Sequence, residues 1–115
     1  MASATRAIID LEAFRENVRF VRELVGRRRL ILACVKANAY GHGALRCANA
    51  ALEAGADALG VARLDEALEL RESGIGGRIV LIGPESLEAS DDLVRADVEI
   101  AIDCAERLEA VLRAG

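Results

Sequence analysis

Short apolar runs alternate with longer amphipathic stretches along this sequence. The runs cover residues 30–35, 58–62, 79–82 and 98–102, so they recur roughly every 20 to 28 residues. The stretches between them predict helices over 11–25, 44–54, 64–73 and 86–95, with one more after Asp103. Strands that alternate with helices pair in parallel, because each helix returns the chain to the same end of the sheet. The sequence therefore predicts one α/β domain over residues 1–115, without a linker.

Capping residues mark the ends of the predicted helices. Asp10 is an expected N-cap for the first helix, and Asp103 is an expected cap for the last one. Gly26, Gly55 and Gly74 follow three amphipathic stretches, in the position where glycine ends a helix. The helix over 86–95 has the weakest pattern.

Composition excludes several classes of protein. Apolar residues make up 53% and charged residues 30%, which suffices for a core and argues against disorder. The net charge is −4 with both signs interspersed, and the aromatic residues are one tyrosine and two phenylalanines, so nucleic-acid binding has little support. No run has the length of a membrane span and the N-terminus lacks a signal-peptide pattern, which predicts no membrane association and a cytoplasmic location.

Two further features have ordinary explanations. The basic run over 27–29 lies in a predicted helix-to-strand connection, where a solvated turn is favoured over a phosphate site. Cys34, Cys47 and Cys104 are far apart and in apolar contexts. They are expected to be reduced thiols, and neither a metal site nor a disulfide framework is predicted.

The stretch over 35–43 carries the most chemistry, because it places Lys36 at the end of the first apolar run. That run contains no charge and reads as a strand buried on both faces. The carboxyl end of such a strand faces the ligand crevice of an α/β sheet or barrel. An ammonium drawn partly out of water there loses its proton more easily, and the free amine can form a Schiff base with a carbonyl cofactor. The alternative is a lysine that leaves the strand and extends into solvent.

This stretch, Val-Lys-Ala-Asn-Ala-Tyr-Gly-His-Gly, resembles the pyridoxal-phosphate lysine motif of the alanine racemase family. Segments over 7–13, 51–56, 60–75 and 79–83 resemble successive parts of that family's N-terminal barrel domain, and the match is loose after Pro84. The resemblance implies the N-terminal half of a TIM-like (β/α)8 barrel that binds pyridoxal 5'-phosphate. The repeat alone equally fits a flavodoxin-like sheet. A whole barrel takes about 250 residues, so 115 residues are expected to form roughly half of one.

The resemblance also implies an activity, the interconversion of L-alanine and D-alanine that supplies D-alanine for the cell wall. By this resemblance, Lys36 carries the cofactor as an imine and then exchanges the substrate's α-proton on one face. By the same resemblance, Tyr40 donates its hydroxyl to the cofactor phosphate. Without the lysine beside it, a packed, half-exposed loop tyrosine would be an equal alternative. The alternatives are a related racemase for a broader set of amino acids, and a non-catalytic remnant that binds the cofactor.

The remaining residues near Lys36 have structural interpretations. Gly41 and Gly43 are expected to permit a tight turn, since their spacing is too short for a dinucleotide loop. Asn38 is expected to organise that turn. His42 is the only histidine and has no sequence neighbours that would complete a catalytic triad, so a direct catalytic role is disfavoured.

Residues further along the chain leave alternatives open. Asp65 and Glu66 open a helix, where dipole and capping effects explain acidic side chains without acid-base chemistry. Ile82 and Gly83 fall where the family lines its cofactor pocket, but ordinary packing at a strand end explains them as well.

The resemblance assigns other parts of the enzyme outside these 115 residues. Residues 6–10 resemble a strand that joins a C-terminal β domain in the family. The arginines for the cofactor ring and the substrate carboxylate, and the tyrosine base from a partner subunit, belong to segments beyond residue 115. The chain is therefore expected to form a homo-oligomer or to dock on a complementary chain.

Overall fold

One four-stranded parallel sheet organises the chain, and its strands lie in the order β1-β2-β3-β4. The computed structural model describes residues 4–115. The strands are β1 (Leu32–Cys34), β2 (Ala58–Val61), β3 (Arg78–Leu81) and β4 (Glu99–Ile100). The helices are α1 (Leu11–Val25), α2 (Lys36–Tyr40), α3 (Ala44–Glu53), α4 (Leu64–Glu72), α5 (Ser90–Arg95) and α6 (Ala105–Ala114), and a 3-10 turn covers Leu87–Ala89. The predicted parallel β/α repeat is confirmed.

The predicted helix ends are confirmed for the first three long helices. Asp10 accepts the backbone N–H of Ala13 at 3.0 Å and caps α1. Gly26, Gly55 and Gly74 follow α1, α3 and α4 with φ of 77°, 110° and 94°, a left-handed range that glycine enters without a side-chain clash. No helix in residues 4–115 has the length and hydropathy needed to cross a membrane.

The core lies between the helices and one face of the sheet. Leu59 and Val61 of β2 pair in register with Ile79 and Leu81 of β3, and all four side chains are at most 1% exposed. They pack with buried residues of α1, α3, α4 and α5. Small residues of α3, such as Ala48, are fully buried, and α3 packs against α1.

The opposite face of the sheet is open along β1, although Ala58 of β2 is buried there, and this corrects one prediction. Leu32 of β1 is 40% exposed, Cys34 is also exposed, and β1 pairs only with β2. The first strand is therefore not buried on both faces, because the helices cover only one side. The predicted strand also begins two residues early, since Leu30 lies outside β1 and is 70% exposed.

The two ends of the chain depart most from prediction. Residues 6–10 are exposed and form no strand, since no strand among residues 4–115 pairs with them. Residues 1–3 of the predicted N-terminal segment lie outside the described residues. At the other end, Cys104 and not Asp103 is the N-cap of α6. The carboxylate of Asp103 instead accepts the Nε–H of Arg107 at 2.7 Å. β4 spans only two of the five residues predicted.

Candidate active site at the carboxyl edge of the sheet

Lys36 lies at the carboxyl edge of the sheet, as predicted. The N–H of Val35 still donates to the carbonyl of Gly60 at 2.9 Å, so the ladder between β1 and β2 runs up to the residue before Lys36. Val35 is 2% exposed and anchors this end in the core. Lys36 itself is half-buried and is the first residue of α2. The chain's only amine-bearing side chain is thus held at a fixed strand end.

The turn that Lys36 opens is left-handed. The φ angles of Ala37, Asn38, Ala39 and Tyr40 lie between 51° and 55°. A left-handed helical backbone costs a residue with a side chain roughly 1–2 kcal/mol. Four such residues in a row persist only where surrounding contacts fix them. The sequence predicts a turn here but not its hand.

Glu66 fixes this turn from a position distant in the sequence. Its Oε2 accepts the N–H of Ala37 at 2.6 Å, and its Oε1 accepts the N–H of Ala62 at 2.9 Å. Ala62 directly follows β2, so one carboxylate joins the ends of two neighbouring strands. Helix dipole and capping effects were predicted for Glu66, but its bond to Ala37 was not.

Part of the role of Glu66 was detectable in sequence. Glu66 is the third residue of α4, where a glutamate reaches back to a backbone N–H ahead of the helix in a capping box. The bond to Ala62 follows that pattern, one residue further back than usual. The bond to Ala37 spans 29 positions, and no local pattern encodes it.

Asn38 and His42 hold the turn from within. The Oδ1 of Asn38 accepts the N–H of Ala44 at 2.8 Å, which supplies the first turn of α3 with an acceptor. His42 Nδ1 lies 3.0 Å from the carbonyl of Ala39 and 3.1 Å from that of Tyr40, so as an N–H donor it joins both. The prediction that Asn38 organises the turn is confirmed, and the ring of His42 serves the same turn.

A cavity of about 620 Å³ opens beside the turn. Its walls are formed by Ala7, Ile8, Ile9, Asp10, Phe14, Cys34, Val35, Ala39, Tyr40, His42 and Cys47. Tyr40 is 61% exposed at this cavity, and Lys36 is not one of the lining residues. The structure thus places Tyr40 on the cavity wall and Lys36 on the same turn, four residues earlier.

Ile82 and Gly83 directly follow β3 at this edge of the sheet. The N–H of Ile82 donates to the carbonyl of Val61 at 2.8 Å, and its side chain is 39% exposed. A Cβ at Gly83 would lie 2.5 Å from the carbonyl oxygen of Ala62. Close packing of two backbones therefore accounts for the glycine, which favours the structural alternative at this position.

Glu85 supports the next connection, and sequence analysis did not identify it. Its carboxylate accepts the N–H of Leu64 at 2.8 Å and that of Ser86 at 3.1 Å. These two backbone hydrogen bonds lower the pKa of Glu85. The carboxylate therefore supplies the start of α4 with an acceptor that Arg63, its N-cap, does not provide. Its bond to Leu64 bridges 21 positions, beyond the reach of local patterns.

Two of the three cysteines, Cys34 and Cys47, lie on the wall of this cavity. Cys34, Cys47 and Cys104 are free thiols. Burial raises the pKa of Cys47, which keeps that thiol protonated at neutral pH.

Comparison with known proteins connects this geometry to one family. Residues 9–115 match the family model described as alanine racemase, N-terminal domain. The chain is 50% identical over 111 residues to the catabolic alanine racemase of Pseudomonas aeruginosa, covering 95% of this chain and 30% of that protein. It is 45% identical over 108 residues to the alanine racemase of Desulforamulus reducens, covering 91% and 29%.

Solved structures agree. The alanine racemase of Clostridium difficile in complex with cycloserine superposes with a TM-score of 0.91 and 30% identity, covering 99% of this chain and 30% of that one. The Bacillus anthracis alanine racemase with bound L-Ala-P gives a TM-score of 0.85 and 38% identity, covering 92% and 28%. The chain thus spans about three tenths of the length of the relatives it matches. The predicted fold class is confirmed as the N-terminal half of a TIM-like barrel.

Proposed function

The chain belongs to the alanine racemase family, and we propose that it carries the cofactor-lysine segment of an enzyme that interconverts L-alanine and D-alanine with pyridoxal 5'-phosphate. The observation that carries this proposal is the position of Lys36. It is the only lysine, it is half-buried, and it begins a turn fixed at the carboxyl edge of the sheet. In α/β barrels that edge is where catalysis takes place.

The residues present fit this cofactor. An amine is the group needed to bind its aldehyde covalently, and a phenol hydroxyl can donate to its phosphate. Lys36 would be the covalent attachment and Tyr40 the phosphate donor. The cavity beside Tyr40 is within the size range of small-molecule sites, about 300–1,000 Å³.

When bound, pyridoxal phosphate withdraws electrons from the substrate α-carbon and makes its proton acidic. The contribution of this chain is to place the Nζ of Lys36 where it can take that proton and return it on one face. The left-handed turn orients Lys36 and Tyr40 relative to each other, since both belong to the same rigid segment. Orientation of reacting groups supplies a large part of the rate enhancement that enzymes achieve.

Groups for the opposite face have no counterpart in these 115 residues. By family resemblance, the second base is a tyrosine of a partner subunit, and arginines bind the cofactor ring and the substrate carboxylate. By the same resemblance, these groups would belong to parts of the family's sequence that this chain, at about three tenths of the relatives' length, does not match. We therefore assign the one-lysine half of a two-base reaction to this chain, and its assembly partner is a second copy or a complementary chain.

Two further proposals rest on the family alone. The product D-alanine would serve cell-wall synthesis, and the enzyme would work in the cytoplasm. The alternatives are a racemase that accepts a wider range of amino acids and a chain that binds the cofactor without catalysis. Assays with a panel of L-amino acids distinguish the first, and adduct formation without turnover distinguishes the second.

Trapping of the cofactor tests the proposal. The purified chain is mixed with pyridoxal phosphate, reduced with borohydride and digested, and the modified peptide is expected to contain Lys36. Lys36→Arg keeps the charge but has no usable amine, so it should abolish the adduct. An adduct that survives would come from the N-terminal amine and would contradict the assignment.

A matched control asks whether any lysine would react. Arg46 is exposed on α3, so Arg46→Lys in the Lys36→Arg background adds an ordinary surface amine. We expect no adduct at that position. Equal labelling there would mean that the position of Lys36 has no special role.

A further inference from the structure

We call residues 36–40 the lysine turn. Among the hydrogen bonds described above, Glu66 provides the one side chain from outside residues 35–44 that bonds this turn. Its two carboxylate oxygens have separate partners, Ala37 on the turn and Ala62 after β2. The bond to Ala37 reaches the first amide after Lys36. Any displacement of Glu66 would therefore act on the backbone of the proposed attachment residue.

We propose that Glu66 is a positioning residue for Lys36, holding the left-handed turn against the end of β2 so that the amine stays at one place on the sheet edge. The proposal rests on the function proposed above for what Lys36 does, but the contact it concerns lies entirely within this chain. Glu66 touches backbone amides and not the reacting atoms, so its effect passes through the turn.

The surroundings of Glu66 support a specific contact. Glu66 is half-buried and lines a cleft of about 180 Å³ with Val35, Asn38 and Val61. A carboxylate that accepts two backbone N–H groups forms charge-assisted hydrogen bonds, which are stronger than neutral ones. The turn needs such support, because its four left-handed residues carry side chains and none is glycine.

The anchor at the other end of this bridge is itself fixed. The backbone of Ala62 lies so close to Gly83 that a Cβ there would come within 3.0 Å of the Cα of Ala62. The contact therefore continues from the lysine turn through Glu66 and Ala62 to the end of β3. These contacts hold together the ends of β1, β2 and β3, so the sheet restrains the turn.

Glu66→Gln tests the proposal. One amide oxygen can replace one carboxylate oxygen, but the NH₂ group then faces a backbone N–H, so one of the two bonds must be lost. Hydrogen exchange of the ¹⁵N-labelled chain without cofactor should become about tenfold faster or more at Ala37 or Ala62, relative to the buried amide of Leu59. Glu72→Gln, at an exposed glutamate that ends α4, makes the same change of charge and should leave both rates unchanged.

A second readout concerns the amine. In Glu66→Gln we expect the equilibrium constant for formation of the covalent adduct with pyridoxal phosphate to be about tenfold smaller. We also expect a smaller circular dichroism signal in the absorption band of the cofactor. Loss of general stability would instead speed exchange at all amides together and leave the signal of the folded fraction unchanged.

The outcomes separate the two proposals. Unchanged exchange at Ala37 and Ala62 in Glu66→Gln overturns the role of Glu66, even if the adduct forms normally. Failure of the unmodified chain to form an adduct overturns the proposed function, while the exchange rates still decide the contact. Should Glu66→Gln fail to fold, Glu66→Asp is compared by the same criterion, because its shorter side chain cannot reach both amides. An unprotected Ala37 amide in the unmodified chain also contradicts the proposal.

Discussion

Arg22 and Arg71 make equivalent contacts at two of the helix-to-strand connections. Each guanidinium donates to carbonyls in two connections, the one that follows its own helix and the one that leads into the neighbouring strand of the sheet. Arg22 donates to the carbonyls of Gly26, Arg29 and Gly55, and Arg71 donates to those of Ile75, Gly77, Ala96 and Asp97. Both lie near the amino ends of the strands, opposite Lys36. Contacts at the amino ends of the strands thus stabilise the fold, and the proposed chemistry lies at the carboxyl ends.

Arg71→Lys should lower the free energy of unfolding by about 2–4 kcal/mol. The four carbonyls that Arg71 reaches lie 2.7–2.8 Å from its nitrogens, and a single ammonium cannot contact them all. Urea unfolding followed by circular dichroism measures the change. The control Arg46→Lys, on the exposed surface of α3, should change stability by less than about 0.5 kcal/mol. Equal effects of the two variants would contradict the bridging role.

Asp57 should make stability sensitive to acid. Its carboxylate accepts the N–H of Ile31 at 2.7 Å and a hydrogen bond from Arg22, and these contacts lower its pKa in the folded chain. A lowered folded-state pKa contributes stability above the unfolded value, about 3.9, and this contribution is lost as the pH falls through the folded value. Between pH 7 and pH 3, Asp57→Asn should therefore lose less stability than the unmodified chain.

The control for this pH dependence is Asp91→Asn, on the exposed surface of α5. It should follow the unmodified chain over the same range, as measured by urea unfolding at each pH. If Asp57→Asn shows the same acid sensitivity as the unmodified chain, the contacts of Asp57 do not set it.

Gly83→Ala should destabilise the chain by about 1–3 kcal/mol. The added Cβ would meet the carbonyl oxygen of Ala62 at 2.5 Å, and backbone cannot move aside as a flexible side chain can. Gly76→Ala is the matched control, since nothing lies within 4 Å of a Cβ at that position and its φ is not in the left-handed range. It should be neutral or slightly stabilising. Thermal unfolding of both variants makes the comparison.

The fold was largely predictable because its signals are local. Asp10 and Gly26 bound α1 through contacts within four residues, so a short stretch of sequence contains the information. The burial of β1 was not predictable, because an apolar run reads the same whether one face or both are covered. Asp103 was assigned as a cap because its type is right, whereas Arg107 draws its side chain away.

The position of Lys36 in the fold was predictable from the sequence, but the conformation of the turn that follows it was not. Lys36 stands out in sequence because it follows an apolar run, and the structure places it at the expected edge. The left-handed turn depends on Glu66, which is distant in sequence from Ala37. A backbone state that a long-range contact stabilises leaves no trace in the local pattern, since alanine and tyrosine ordinarily favour other conformations.

The chain should have very low racemase activity when assayed with pyridoxal phosphate. Ordinary enzymes turn over at roughly 1–1,000 per second, and a missing proton donor alone costs about 10²–10⁴ in rate. Turnover of L-alanine and of D-alanine is measured by optical rotation or a coupled assay, with Lys36→Arg as the blank. Ordinary rates in both directions would contradict this expectation and would mean that Tyr40 or His42 serves as the second base.

The chain should not behave as a monodisperse monomer. Within residues 4–115, β1 and β4 each pair on one side only, which leaves backbone N–H and C=O groups along two strand edges. The open face of the sheet adds apolar surface, with Leu32 and Ile82 about two-fifths exposed. Pairing of two copies, docking on a complementary chain or aggregation would each cover these groups, and we rank the first two together above a stable monomer.

Sedimentation velocity across a range of concentrations measures the distribution of species. The variant Leu32→Lys should shift that distribution toward monomer, because it places a charge on the open face. A single monomeric species of the unmodified chain, with a sharp cooperative melt, would mean that the four strands form a self-sufficient open sheet.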